Sequence, residues 1–394
     1  MKQKKILFVF GTRPEAIKMA PVIKIFEKQK HIFQTCVCVT SQHKEMLMQV
    51  LDLFEIDPQY DLNIMTHNQK LSELTERILH GLTEVVEKEE PDLVFVQGDT
   101  TSTFVAALVS FYAKIPVAHI EAGLRTRDKY SPFPEEINRR IASVLTNFHF
   151  APTEEARSNL IADSIPESSI YVVGNTVIDA LKWVVQKHTD EAVREKWNSY
   201  FSDEYNISFQ PDQRTILVTG HRRESFGEGF ANICEGLANL ARRNADIQVI
   251  YPVHLNPNVQ GPVYSILGKI ENIHLIPPLE YEPFVFLMNT CHLILTDSGG
   301  IQEEAPFLGK PVLVMRNTTE RPEGIAAGTA KLVGTDSKKI VEAAEKLLTD
   351  ETEYKLMAKA ISPYGKGDSA EKVFDCVLAV FEEQEERTEI QRKC

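Results

Sequence analysis

Short runs of β-branched and aromatic residues alternate along this chain with longer stretches of helical periodicity. Residues 5–10, 33–40, 92–97 and 116–121 read as strands, with helical repeats at 15–29, 44–54, 71–89 and 102–113. The strand segments are apolar at nearly every position, which is the pattern of a parallel sheet covered on both faces. The pattern then restarts, with strands at 215–219, 248–253, 273–276, 293–296 and 311–315 and helices between them. Val9-Phe10-Gly11-Thr12-Arg13 opens the first half and Val218-Thr219-Gly220-His221-Arg222 opens the second. Each is a hydrophobic strand, a glycine turn and a cation before a helix. The expected fold is therefore α/β, two doubly wound Rossmann-like domains facing a cleft between them.

Length agrees, since 394 residues exceed a comfortable single core. The expected division is residues 1–175, a linker region at 176–213, a second domain at 214–366 and a C-terminal helix at 367–394. The linker stretch is helical at first, then polar and irregular around 202–213. The final helix, 369–387, follows the break Pro363-Tyr-Gly-Lys-Gly367, and either packs on the second domain or crosses back to the first.

Charge narrows the partners. A formal net charge of −13 repels nucleic acid and anionic membrane surfaces, so an anionic substrate needs a local cationic pocket. The apolar run 6–10 near the start is too short for a signal-peptide core or a membrane span, so a cytoplasmic protein is expected. The six cysteines include no Cys-x-x-Cys pair. Cys36 and Cys38 share one strand face without a nearby histidine, which reads as reduced thiols and no metal site.

Ligands in open parallel sheets sit beyond the carboxyl ends of the strands. There the first half carries Gly11-Thr12-Arg13-Pro14-Glu15-Ala16-Ile17-Lys18. Gly11 lets the backbone turn, Pro14 suits a helix start, and Arg13 and Lys18 place cations near a positive helix terminus. Neither a Walker loop nor Gly-x-Gly-x-x-Gly is present. Gly98-Asp99-Thr100-Thr101 follows the strand ending at Gln97, where Asp99 either serves chemistry or caps the next helix. Glu121 leaves an apolar strand into a glycine-containing turn. Glu135 and Glu136 diverge by ~100° around a helix, so one of them faces the site and the other serves the helix dipole. Carboxylates converging from such positions suit general acid/base work.

The second half carries Gly220-His221-Arg222-Arg223-Glu224, in which His221 beside two arginines favours anion contact. It also carries Asp297-Ser298-Gly299-Gly300-Ile301-Gln302-Glu303-Glu304, where two glycines bare backbone N–H groups at a helix start. Glu304 is within reach of ribose hydroxyls. Arg316 to Gly324 adds cations to the same edge, and Phe284 serves either as a base-stacking residue or as helix core. Physical reading reaches a nucleotide-diphosphate sugar, with the diphosphate on the second half and carboxylates presented by the first.

These segments in order, from Phe10-Gly-Thr-Arg-Pro-Glu-Ala-Ile-Lys18 to Pro363-Tyr-Gly365, closely resemble the non-hydrolysing UDP-N-acetylglucosamine 2-epimerases. Between them lie Gly98-Asp-Thr-Thr101, His119-Ile-Glu-Ala-Gly-Leu-Arg125, Pro134-Glu-Glu136, Gly220-His-Arg-Arg-Glu224, Asp297-Ser-Gly-Gly-Ile-Gln-Glu-Glu304 and Thr319-Glu-Arg-Pro-Glu323. The resemblance covers nearly the whole chain, and the ordered set is far more specific than any member. It implies the two-domain glycosyltransferase-B fold and reversible conversion of UDP-N-acetylglucosamine to UDP-N-acetylmannosamine for bacterial surface polysaccharide. In that chemistry UDP leaves C1, the C2 proton is lost to give 2-acetamidoglucal, and UDP returns as a proton reaches the opposite face. Implied partners are UDP-N-acetylglucosamine, UDP and a second copy in a homodimer, with no cofactor.

By position the resemblance assigns Asp99, Glu121 and Glu135 to acid/base and electrostatic work. His221 joins that catalytic set and also lies beside the phosphates. Arg13, Lys18, Ser298, Gly299 and Gly300 would hold phosphates, Glu304 the ribose and Phe284 the uracil, with Arg321 near the diphosphate. Some members bind a second substrate molecule as activator through a Gln-His-x-x-Gln segment and a later arginine. Gln42 and His43 match that segment, whereas Thr66-His67-Asn68-Gln69 contains no arginine. The competing readings are a glycosyltransferase of the same fold, a hydrolysing epimerase and a nucleotide-sugar sensor.

Overall fold

The computed structural model describes residues 3–41, 44–65, 69–210 and 213–393. Gln42 and His43, and Thr66, His67 and Asn68, lie outside the described residues. The chain divides into two compact units, one of Met1–Ala180 with Tyr364–Cys394, the other of Leu181–Pro363.

In the first unit the strands are β1 (Lys4–Phe10), β2 (Phe33–Val39), β3 (Tyr60–Asp61), β4 (Leu93–Gln97), β5 (Val117–Ile120), β6 (Phe148–Ala151) and β7 (Ile170–Val172). They form one parallel sheet in the order β3-β2-β1-β4-β5-β6-β7. Ile6 to Phe10 are all buried, as are Leu93 to Gln97, because helices cover both faces. Phe8, Phe95 and Phe150 stack across three strands, with centroids 5.0 and 6.3 Å apart. The helix Ser369–Lys393 belongs to this unit, where Phe374 meets Phe26 at 5.1 Å and Phe33 at 5.7 Å.

The second unit has β8 (Arg214–Thr219), β9 (Ile247–Pro252), β10 (Ile273–Ile276), β11 (Leu293–Thr296), β12 (Val312–Val314) and β13 (Ala330–Leu332). These are parallel in the order β10-β9-β8-β11-β12-β13. Leu217, Val218, Leu293 and Leu295 are fully buried within it.

One stretch differs from expectation. Residues 202–205 are not irregular but close the helix Glu191–Tyr205, capped by the Asp190 carboxylate and ended by Asn206 in the left-handed region at φ 55°. Trp197 and Phe201 are buried, and Tyr200 packs edge-on against both, so aromatic packing holds a helix that polar composition conceals. The cysteine thiols at 36, 38, 234 and 291 are buried and free, and burial pushes Cys36 up to about 11 and Cys234 up to about 12.

Strand order reverses once in each sheet, between β1 and β4 in the first and between β8 and β11 in the second. Turns leaving neighbouring strands at such a point diverge and open a crevice at the carboxyl edge.

Candidate active site

At the first reversal, β1 leads through Gly11 and Thr12 into the helix Arg13–Lys28. Gly11 is needed for close approach rather than for an unusual turn. A Cβ there would lie 2.0 Å from Thr40 Oγ1 and 2.8 Å from Ser102 Oγ. Next to it, β4 ends in Gly98, whose φ of +70° is a conformation that glycine adopts without strain.

Glu121, one residue beyond β5, is the centre of this edge. It is 8% exposed and adopts φ 63°, a strained choice for a residue with a Cβ. Lys18 Nζ donates to both carboxylate oxygens at 2.6 Å. Gln97 Nε2 donates to Oε2, and Asn175 Nδ2 donates to Oε1 at 3.2 Å. Lys18, expected on phosphate, is thus paired with a carboxylate.

Asp99 does not cap the next helix. Thr100 takes that place, its hydroxyl accepting from Thr103 N, while Asp99 Oδ2 accepts from Arg139 Nε at 2.9 Å and Nη2 at 2.6 Å. Arg139 lies on the helix Glu135–Leu145, and its Nη1 also donates to Glu136. Glu136, 1% exposed, accepts the backbone N–H groups of Thr126 and Arg127 and so fixes the loop before the helix. Glu135 is the helix's first residue, and its Oε2 is buried without a hydrogen-bond partner among the described residues. The two glutamates thus differ in their contacts: Glu136 is taken up by the preceding loop rather than by the helix dipole, and Glu135 Oε2 is not.

Two buried groups here were not singled out from sequence. Glu15 accepts Gly11 N at 3.0 Å, Thr12 N at 2.7 Å and Thr100 Oγ1 at 2.6 Å, lacing together the turns after β1 and β4. Burial raises its pKa. His119, 1% exposed, places Nε2 2.7 Å from Gly98 O, and desolvation lowers its pKa to about 3. It is neutral at physiological pH and pins the turn that presents Asp99. Polar residues in apolar strands are the sequence signal for such groups; Gln97 and His119 carry it, whereas Glu15 sits in the first turn of a helix and does not.

In the second unit the turns after β8 and β11 meet through Asp297, which is fully buried. Its Oδ2 accepts His221 N at 2.7 Å and Arg222 N at 2.8 Å, and its Oδ1 lies 3.3 Å from His221 Nδ1. Burial lowers the pKa of His221, and the Asp297 charge opposes that shift. His254 stacks on the His221 ring at 5.4 Å.

Ser298 precedes the helix Gly299–Phe307. A Cβ on Gly299 would meet Glu320 Oε1 at 3.6 Å, and Arg222 Nη2 and Arg321 Cζ at 3.8 Å. Two guanidinium groups thus flank the helix start. Arg222 is bonded to Glu320 at 2.9 Å, and Arg321 Nε to Glu303. Arg316, counted by sequence among the cations of this edge, is instead 7% exposed and held by Glu224 and Glu320. Glu304 accepts the Tyr281 hydroxyl at 2.7 Å. Phe284 is half-buried, whereas Pro283, Val285, Phe286, Leu287 and Met288 of the same helix are buried, so its ring lies off the core face.

Among the described residues no cluster of three or more His, Cys, Asp or Glu is arranged to hold a metal ion, and no helix is long and apolar enough to cross a membrane.

A family model described as UDP-N-acetylglucosamine 2-epimerase matches residues 26–378. The Salmonella typhimurium UDP-N-acetylglucosamine 2-epimerase is 55% identical over 373 residues, covering 95% of this chain and 98% of that one. The Escherichia coli enzyme of the same name shares the same identity and coverage over 373 residues. The crystal structure of the Neisseria meningitidis UDP-GlcNAc 2-epimerase bound to UDP-GlcNAc superposes with a TM-score of 0.88 at 51% identity, covering 95% of this chain and 100% of that one. With fold and sequence matched over nearly the whole length, the chain belongs to the UDP-N-acetylglucosamine 2-epimerase family.

Proposed function

We propose that this protein interconverts UDP-N-acetylglucosamine and UDP-N-acetylmannosamine without releasing free sugar. The observation that carries the reading is the Glu121 carboxylate, buried, backbone-strained and held by Lys18 at the reversal point of the first sheet. So constrained an acid at a strand end fits chemistry on a ligand better than binding alone.

The C2 hydrogen of the sugar lies beside no carbonyl, so direct deprotonation has a very high barrier. Departure of UDP from C1 leaves an oxocarbenium-like centre and acidifies C2. Glu121 and Asp99 supply negative charge that favours this cation, and a carboxylate of the set Asp99, Glu121 and Glu135 removes the C2 proton. Glu135 Oε2, buried without a hydrogen-bond partner among the described residues, is a suitable acceptor. The departing diphosphate is held by the N–H groups at Ser298, Gly299 and Gly300 and by Arg13, His221 and Arg321. At Gly299 and Gly300 a Cβ would meet nothing closer than 3.6 Å, so packing within the chain does not require glycine there. Close approach of an anion to the bared backbone does. Glu304 receives a ribose hydroxyl, Phe284 stacks on the uracil, and the working form is a homodimer.

Proton NMR of the protein with UDP-N-acetylglucosamine alone tests the reading. Growth of the manno-configured nucleotide sugar to a fixed ratio is expected. Free N-acetylmannosamine with UDP would make the enzyme hydrolysing, and an unchanged spectrum would leave a transferase or a sensor. In deuterated water the product should carry deuterium at C2; retention of the original hydrogen would exclude the elimination route. Light scattering of the purified protein checks the dimer.

A further inference from the structure

We infer that Asn175, together with Gln97, is a positioning residue of this reaction, an amide clamp that fixes the Glu121 carboxylate in one orientation opposite Lys18. The inference rests on the proposed role of Glu121. Asn175 and Gln97 are each 2% exposed. Asn175 Oδ1 accepts the N–H of Val177 at 3.1 Å, so the amide's orientation is fixed and only its NH2 group can face Glu121. Asn175 Nδ2 holds Oε1 and Gln97 Nε2 holds Oε2, while Lys18 Nζ donates to both oxygens.

Both carboxylate oxygens therefore face donors that cannot take a proton. A proton on either oxygen would meet an N–H, so the arrangement admits the ionised form and one rotation about the last side-chain bond. Lys18 faces Glu121 from the helix Arg13–Lys28, and His119, on the strand that leads to Glu121, is buried and neutral. The neighbouring carboxylate at this edge, Asp99, is turned to Arg139. The backbone holds the clamp as well, since Asn175 N donates to Tyr364 O at 2.8 Å.

Asn175→Asp separates this role from a structural one. Aspartate keeps the acceptor for Val177 N–H and caps a helix as well as asparagine does, but it replaces the donor at Glu121 with a second anion. In the epimerisation assay, kcat at pH 7 is expected to fall about tenfold or more with KM for UDP-N-acetylglucosamine within about threefold. The acid limb of the kcat profile should move up by about one pH unit or more. Gln97→Glu should move both in the same direction, and Asn175→Ser, whose hydroxyl can still accept the Val177 N–H and which adds no charge, should recover part of the loss. Urea unfolding of each variant reports whether the fold is retained. Parent-like kcat and pH profile in Asn175→Asp and Gln97→Glu, with Glu121→Gln inactive, would overturn the clamp and leave the role of Glu121 standing. Full turnover in Glu121→Gln would overturn that role itself.

Discussion

Glu15 offers the sharpest test of how the first sheet edge is held. Its carboxylate accepts two backbone N–H groups from the turn after β1 and the Thr100 hydroxyl from the turn after β4, with Thr103 Oγ1 a further 3.3 Å contact. Glu15→Ala removes all of these at once. The N–H of Gly11 is buried and would be left without its acceptor, at about 1–3 kcal/mol. Loss of the reciprocal cap at Thr12 adds about 1 kcal/mol. Thr12 and Thr100 are half-buried and can be rehydrated, so the expected total is about 3 kcal/mol rather than a full sum over every bond. Turnover should fall with stability, because the slackened turns carry Asp99 and lead into the helix that bears Arg13 and Lys18.

Glu15→Gln separates charge from hydrogen bonding. Its Oε1 can accept both backbone N–H groups, and its NH2 can donate to the threonine hydroxyls, which accept as readily as they donate. Burial raises the pKa of Glu15, which means folding favours its neutral form. The parent's stability from this group is therefore full below the ordinary carboxylate value and is lost as pH rises through the raised folded value. Glutamine has no charge to bury. Urea unfolding should place Glu15→Gln within about 1 kcal/mol of parent at about pH 5, with the variant gaining relative to parent toward about pH 8. A Gln variant as unstable as Ala at neutral pH, or a gap to parent that stays constant with pH, would refute the account.

Four further outcomes follow from the same geometry. Lys18→Met should lower kcat by about 100-fold with a small change in KM, since Lys18 is paired with Glu121; a rise confined to KM would return it to the phosphates. Arg139→Lys should also lower kcat, because one ammonium cannot reproduce the bonds from three guanidinium nitrogens to Asp99 and Glu136, and parent-like rates would remove that pair from the mechanism. His119, its pKa lowered to about 3 by burial, stays neutral in the fold while the unfolded chain takes up a proton below about pH 6.5. Parent stability should therefore fall between about pH 6 and pH 4, and His119→Gln should remove about one proton from that dependence in urea titrations. Phe284→Ala should weaken UDP binding by about 1–3 kcal/mol in calorimetry and leave the C2 exchange rate at saturation unchanged.

The sheets were legible because their central strands are apolar at nearly every position. The strands β3, β6, β7 and β13 were not: each is two to four residues long and carries exposed or polar positions, as in Tyr60-Asp61 and Ala330-Lys331-Leu332, so little apolar pattern marks it off from a loop. The helix Glu191–Tyr205 was hidden in part for a different reason: its last turn is polar outside Phe201, and only packing of Trp197, Tyr200 and Phe201 reveals it. The motif residues at the strand ends were likewise readable, but their partners were not. Lys18 and Glu121 are 103 positions apart, and Asp99 and Arg139 are 40 apart. Sequence showed cations and carboxylates at one edge and assigned the cations to phosphate, the bulk anion of the substrate. In a buried setting a carboxylate requires its own counter-charge, so the nearest cation is consumed before any ligand arrives. The same logic disposes of Arg316, which Glu224 and Glu320 hold. Counting like and unlike charges at a strand edge thus gives the composition of a site, while burial decides which of those charges remain for the substrate.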